Sequence, residues 1–297
     1  MRVPRTLTVS LLVCVLAGCA ATADAGPVSA ASTPRQKPVA QETPVQETPA
    51  QPSVDELLEE ALAPLALTGD ERFSVAVLGL ADGSVGGYAC DGCADEETYD
   101  TASIVKVDIL LALLLKAQDE ERELSGQERA YAHDMITSSD NAAATALWAV
   151  IGGAEGLDAA NGRLGLVGTS AGTDGRWGLT RTTATDQLVL LEAVFGEPEK
   201  LTAASQAYVR ELLGAIVAGQ DWGVSAAGGD SALKNGWLPR STTGLWDINS
   251  IGRVTVDGRE YLLAVLSDGH ESKDDGVALV ERVAVAAARA VAGSAGS

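Results

Sequence analysis

Along residues 54–297 the apolar positions switch repeatedly between a helical and a strand period, and each switch marks an element. Behind Ser53, a residue suited to cap a helix, Asp55, Glu56, Leu57 and Leu58 open an amphipathic run that predicts a helix to about residue 67. Residues 73–80 alternate apolar with small side chains and read as a strand. Asp82-Gly83 makes a hairpin turn, and a second strand follows to about residue 90. The period then becomes helical. Residues 103–117 are apolar on most sides and predict a buried helix, while 141–151, 184–195 and 203–218 keep a 3.6 spacing. Ser139-Asp140 is a good cap for the second of these. Residues 231–238, 244–253 and 259–267 return to the strand pattern, with Asp257-Gly258 as a turn, and a helix rich in Ala and Val covers 275–291. This order describes an α+β fold. An antiparallel sheet of about five strands, drawn from both ends of the chain and flanked by helices, receives an inserted all-helical block.

The first 53 residues follow another rule. Arg2 and Arg5 precede an apolar run over 7–16, far short of the ~20 residues that span a bilayer, so 1–18 read as a signal peptide. Leu16-Ala17-Gly18-Cys19 resembles the bacterial lipobox, which implies a diacylglyceryl group on Cys19 and loss of Cys14. Residues 20–53 hold six of the ten prolines and contain Gln-Glu-Thr-Pro twice, so 19–53 read as a disordered, partly polyproline linker. Extended at ~3.1 Å per residue, it would hold a domain over 54–297 on the order of 100 Å from the membrane. The expected location is therefore the outer face of the bacterial cytoplasmic membrane, with the membrane engaged through the lipid anchor.

Composition is globular at 46% hydrophobic and 21% charged, but 41 acids face 21 bases. A net charge of −20 argues against nucleic acid as a partner and favours solubility as a monomer. Cys90 and Cys93 flank Asp-Gly, and an exported location favours a disulfide across that turn. A redox pair would open a helix instead. Zinc needs more ligands than these, and the histidines are only His133 and His270, so neither metal nor cofactor is expected.

Three short motifs are candidates for chemistry, and each has a plain structural explanation. Ser103-Ile104-Val105-Lys106 opens the apolar helix, where free N–H groups and the positive dipole end favour an oxyanion, and Lys106 lies one turn on. The same Ser-x-x-Lys spacing recurs by chance at Ser231 and Lys234, and a capping serine with a snorkelling lysine would explain it. Ser139-Asp140-Asn141 also serves as a helix cap. Lys234-Asn235-Gly236 contains Asn-Gly, a strong turn signal.

In order and separation, however, the three motifs together resemble Ser-x-x-Lys, Ser-Asp-Asn and Lys-Thr-Gly of the serine β-lactamase and penicillin-binding superfamily, class A most closely. The resemblance covers essentially all of 54–297. It implies that Ser103 is acylated, that Lys106 is its general base or proton shuttle, and that Ser139 passes a proton to the leaving nitrogen. It further implies that Asn141 holds the substrate amide and that Lys234 lowers the Lys106 pKa and attracts a substrate carboxylate. Asn235 and Gly236 then border the substrate, and the N–H groups of Ser103 and Trp237 form the oxyanion hole.

Two departures qualify it. Asn235 replaces a hydroxyl residue, although its amide can still donate to a carboxylate. The loop Thr173-Asp174-Gly175-Arg176-Trp177-Gly178-Leu179-Thr180-Arg181-Thr182-Thr183 is short and lacks the Glu-x-x-Leu-Asn whose glutamate activates deacylating water. Asp174 is its one acid and reads better as part of an exposed Asp-Gly turn. The implied function is a serine acyl hydrolase acylated by β-lactams or peptidoglycan-like peptides, with doubtful lactam turnover. A D,D-peptidase is the near alternative, and a non-catalytic surface lipoprotein that kept the fold is the alternative of another class. A chymotrypsin-like or α/β-hydrolase triad is poorly supported, because His133 and His270 lack a recognisable serine context.

Overall fold

The computed structural model describes residues 52–67, 69–90, 93 and 98–294. The expected signal peptide, Cys19 and the linker as far as residue 51 lie outside the described residues. Helix α1 (Val54–Leu62) starts at a capping box in which Ser53 and Glu56 satisfy each other's backbone N–H, and it stops short of the expected residue 67. β1 (Arg72–Gly79) and β2 (Val85–Ala89) form the hairpin. The short β3 (Tyr99–Asp100) leads into a 3-10 turn (Ala102–Ile104) and then α2 (Val105–Asp119). The helical block continues with α3 (Gly126–Thr137), α4 (Asn141–Ile151) and α5 (Gly153–Leu164). After β4 (Arg181–Thr182), which pairs with β3, come α6 (Ala184–Phe195) and α7 (Ala203–Leu213). Strands β5 (Gly229–Pro239), β6 (Trp246–Val256) and β7 (Arg259–His270) precede α8 (Lys273–Ser294).

The sheet is antiparallel throughout, in the order β2-β1-β7-β6-β5, so β1 near the start pairs with β7 near the end. Strand alternation divides its side chains between two layers. Phe73, Val75, Val77, Tyr261, Leu263 and Val265 face α1 and α8, where Leu279, Val280, Val283, Ala284 and Ala287 repeat at helical spacing. Ala76, Leu262, Ala264 and Leu266 face the helical block. α2 lies at the centre of that block and is buried from Val105 to Leu115.

One expectation is corrected here: Ser103 lies in the 3-10 turn before α2 rather than in the helix itself. Asn235-Gly236 sits mid-strand in β5, opposite Ser250 and Asn249, as the strand pattern over 231–238 predicts and despite its turn-like local sequence. Tertiary contacts override the local signal there, because β5 runs so close to the Ser103 turn that only glycine fits. A Cβ on Gly236 would lie 2.6 Å from Thr101 O and 2.8 Å from Ser103 N. Cys90 and Cys93 are joined by a disulfide.

Candidate active site

The site lies where α2, the α3–α4 junction and edge strand β5 converge. Lys106 is fully buried, and its Nζ donates toward Ser103 Oγ (3.0 Å), Ser139 O (2.7 Å), Ser139 Oγ (3.0 Å) and Asn141 Oδ1 (2.8 Å). Lys234 Nζ reaches the same Ser139 hydroxyl at 3.1 Å and also bonds Asn235 O at 3.0 Å. One hydroxyl thus bridges two amines. Burial pushes the Lys106 pKa down to about 8, against an opposing pull from Asp140. Burial, reinforced by the neighbouring Lys106 charge, pushes Lys234 down to about 7. Two amines this close titrate as a pair, and a neutral member is available near neutral pH. A neutral lysine in contact with a serine hydroxyl can take its proton, and a bridging hydroxyl can pass a proton on.

The backbone around these groups is held in uncommon conformations. Ala102 has φ 48° and Ser139 has φ 60°, both in the left-handed region that side chains disfavour. The Ser103 turn is fixed from several sides. Asn249 Nδ2 donates to Asp100 O (2.9 Å) and Thr101 O (3.2 Å), and Thr101 N–H donates to Thr180 O (2.9 Å). Asp100 is further paired with Arg240 and Arg181. At the other motif, Asp140 caps α4 through the Ala143 N–H at 2.7 Å, which aims Asn141 at Lys106.

A cleft of about 410 Å3 opens over Ser103, lined by Asn141, Trp177, Leu179, Trp237 and Leu238 among others. The structure therefore brings Ser103, Lys106, Ser139, Asn141 and Lys234 into one cluster, with Gly236 and Trp237 beside it. Asn235 is used differently from the expectation. Its two amide hydrogens go to Gln220 O (2.9 Å) and Trp222 O (2.8 Å), so neither is open to a substrate carboxylate. Gln220 in turn donates to Ser138 O (3.1 Å), and Asn235 so ties β5 to the Ser139 turn. Asp174 is 80% exposed and paired with Arg176 at 3.0 Å, as an exposed turn residue would be.

Sequence reasoning missed Trp177. Its ring centroid lies 5.0 Å from Lys106 Nζ, and its indole N–H donates to Thr145 Oγ1 at 3.2 Å. A tryptophan in a loop where a catalytic acid is missing was the available signal.

The profile described as "Beta-lactamase enzyme family" matches residues 128–291, more than half of the chain. The chain belongs to the β-lactamase enzyme family. The matched stretch holds Ser139, Asn141 and Lys234, while Ser103 and Lys106 precede it. No curated protein matches by sequence. Among solved structures, a class A β-lactamase from Bacteroides cellulosilyticus DSM 14838 is 17% identical with a TM-score of 0.68, covering 81% of this chain and 99% of its own. PBP-A is 18% identical with a TM-score of 0.68, covering 82% and 99%. The TLA-1 extended-spectrum β-lactamase is 18% identical with a TM-score of 0.65, covering 82% and 98%. At these identities the likeness establishes the fold, that of the class A β-lactamases.

Next to the site of this β-lactamase-family chain, Asp247 is buried beside the Asp100–Arg240 pair. Burial, aided by Asp100 and Asp268 and opposed by Arg240, pushes its pKa up to about 7. A carboxyl raised above its unfolded value favours the fold when protonated, so its contribution declines as pH climbs from about 4 to 7. Asp247→Asn is expected to stabilise the protein by about 1–2 kcal/mol at pH 8, and the gain should vanish near pH 4. Thermal melts of both proteins across that range check it.

Proposed function

We propose that this chain is an envelope serine acyl-transfer protein whose Ser103 is acylated by β-lactams or by peptidoglycan-like peptides. The supporting observation is the continuous path from Ser103 Oγ through Lys106 Nζ and Ser139 Oγ to Lys234 Nζ, with no step longer than 3.1 Å. Ser103 attacks the carbonyl carbon while Lys106 accepts its proton. Ser139 returns a proton to the leaving nitrogen as the C–N bond breaks, and Asn141 holds the substrate amide. The N–H groups of Ser103 and Trp237 stabilise the oxyanion, each such donor being worth ~3 kcal/mol. Lys234 shares the Ser139 hydroxyl with Lys106, and its protonated form would attract a substrate carboxylate. A structurally similar PBP-A variant, 19% identical, is an acyl-enzyme complex with penicillin G, which supports the reading. The loop without its glutamate favours slow lactam turnover, so a D,D-peptidase-like role stands beside β-lactam hydrolysis. An export signal at 1–18 and a lipid on Cys19 would place this chemistry at the outer face of the cytoplasmic membrane.

Incubation with penicillin should add one ligand mass to the intact protein, and peptide mapping should put it on Ser103. An unmodified protein would overturn the proposal. A chromogenic cephalosporin separates the two roles, since slow deacylation yields one stoichiometric burst and steady hydrolysis does not.

A further inference from the structure

Acylation is half of a catalytic cycle, and the rest depends on what can reach the ester formed on Ser103. Hydrolysis needs a water whose oxygen adds to the ester carbonyl and whose proton passes to a base, after which the Ser103 Oγ–C bond breaks and Oγ recovers a proton. The loop over 173–183 offers no base, because Asp174 is exposed and held by Arg176. Lys106 is the amine nearest the ester oxygen, yet four acceptors surround its Nζ at 2.7–3.0 Å. Its remaining approach is covered by the Trp177 indole, 5.0 Å away.

That indole is fixed in place. Its N–H bonds Thr145 on α4, and the neighbouring Gly178 packs on the Ser103 turn, where a Cβ would sit 3.7 Å from Ala102 O. The loop ends are tied as well, by Ser170 paired with Arg181 and by the Gly172 N–H on Thr180 Oγ1 at 3.1 Å. An apolar ring held this firmly over the amine offers a water no hydrogen-bond partner on that side and occupies the space from which it would reach Lys106.

We propose that Trp177 sets the lifetime of the acyl-enzyme by roofing Lys106 against hydrolytic water. This rests on the proposed acylation of Ser103. Trp177 is a positioning residue, since it acts through Lys106 and the space above it. Its removal opens the cleft to water, which Lys106 can then deprotonate, while the acylation path through Ser103, Lys106 and Ser139 stays intact.

The test follows a penicillin adduct by intact-protein mass in wild type, Trp177→Ala and Trp177→Phe, recording formation and, after removal of free penicillin, decay. Trp177→Ala should shed the adduct at least about tenfold faster than wild type, a change of one decade in rate. Decay is compared only from fully formed adducts, so a change in the acylation rate, which the exposure of Lys106 can also cause, does not enter the comparison. Trp177→Phe keeps an apolar face and should stay near the wild-type decay rate, which a general loosening of the loop would not permit. An adduct that decays at the wild-type rate in Trp177→Ala overturns the proposal while leaving acylation standing. Equal acceleration in Trp177→Phe overturns it as well, and decides the matter if Trp177→Ala does not fold. Absence of any adduct in wild type would instead overturn the acylation reading.

Discussion

Lys106→Met is expected to slow acylation by ~10²–10⁴-fold, the range over which a positioned general base acts. Methionine fills nearly the same volume, so the loss reports the amine and not a cavity. The pH profile sharpens the test. Lys106 must be neutral to take the Ser103 proton, and burial has lowered its pKa from 10.5 to about 8. Wild-type acylation should therefore rise with pH through about 7–8 and level off, two units or more below an ordinary lysine. The Met variant should lose that rising limb. Stability carries the same signature. Between about pH 8 and 10.5 the unfolded chain holds the Lys106 proton and the folded protein does not, so wild-type stability increases with pH in that window. Lys106→Met should lose that share of the rise, on the order of 3 kcal/mol, and keep the share that Lys234 contributes. Stopped-flow acylation and denaturant melts measure the two effects separately.

Gly236→Ala should be comparably damaging from a position that carries no chemistry. The added Cβ would fall 2.6 Å from Thr101 O, 2.8 Å from Ser103 N and 3.0 Å from Ile104 N. All three are backbone atoms, so no side chain can rotate away to relieve the contact. Either β5 or the Ser103 turn must move, and the turn is already fixed by Asn249 and Thr180. Overpacking of this kind costs about 1–3 kcal/mol of stability. A displacement approaching 1 Å at Ser103 can slow the reaction by about 10²-fold. Acylation rates and melting temperature measured on one preparation should fall together. An alanine variant with wild-type rates would show that β5 does not set the position of Ser103.

The reason the motifs could be read from the sequence is that they are partly local. Ser103 and Lys106 lie one turn apart, Asp140 caps the helix that starts at Asn141, and β6 and β7 join through Asp257-Gly258. The five-stranded sheet followed from where the strand period reappeared. What stayed hidden depends on contacts between distant segments. The strand over 231–238 was legible, but the reason Asn235-Gly236 stands in it was not: the nearby Ser103 backbone leaves room only for Gly236, and the carbonyls of Gln220 and Trp222 take up the Asn235 amide. Trp177 meets Lys106 across 70 intervening positions in the chain, and no periodicity encodes that meeting. Asn249 in β6 and Arg240, just past the end of β5, likewise hold the Ser103 segment from some 140 residues further along the chain.

The pairing of β1 with β7, Arg72 opposite Asp268 and Gly79 opposite Tyr261, has a consequence for how the molecule comes into being. The sheet's middle strand is almost the last to be synthesised, and the second lysine of the cluster sits on a hairpin made just before it. A ribosome that has delivered α2 has supplied a serine and an amine with nothing yet to hold them in register. Closure across nearly two hundred residues is slow compared with local helix formation. Chemical competence should therefore arrive in one late step, and a chain cut short before β7 should be inert however much of its helical block has formed.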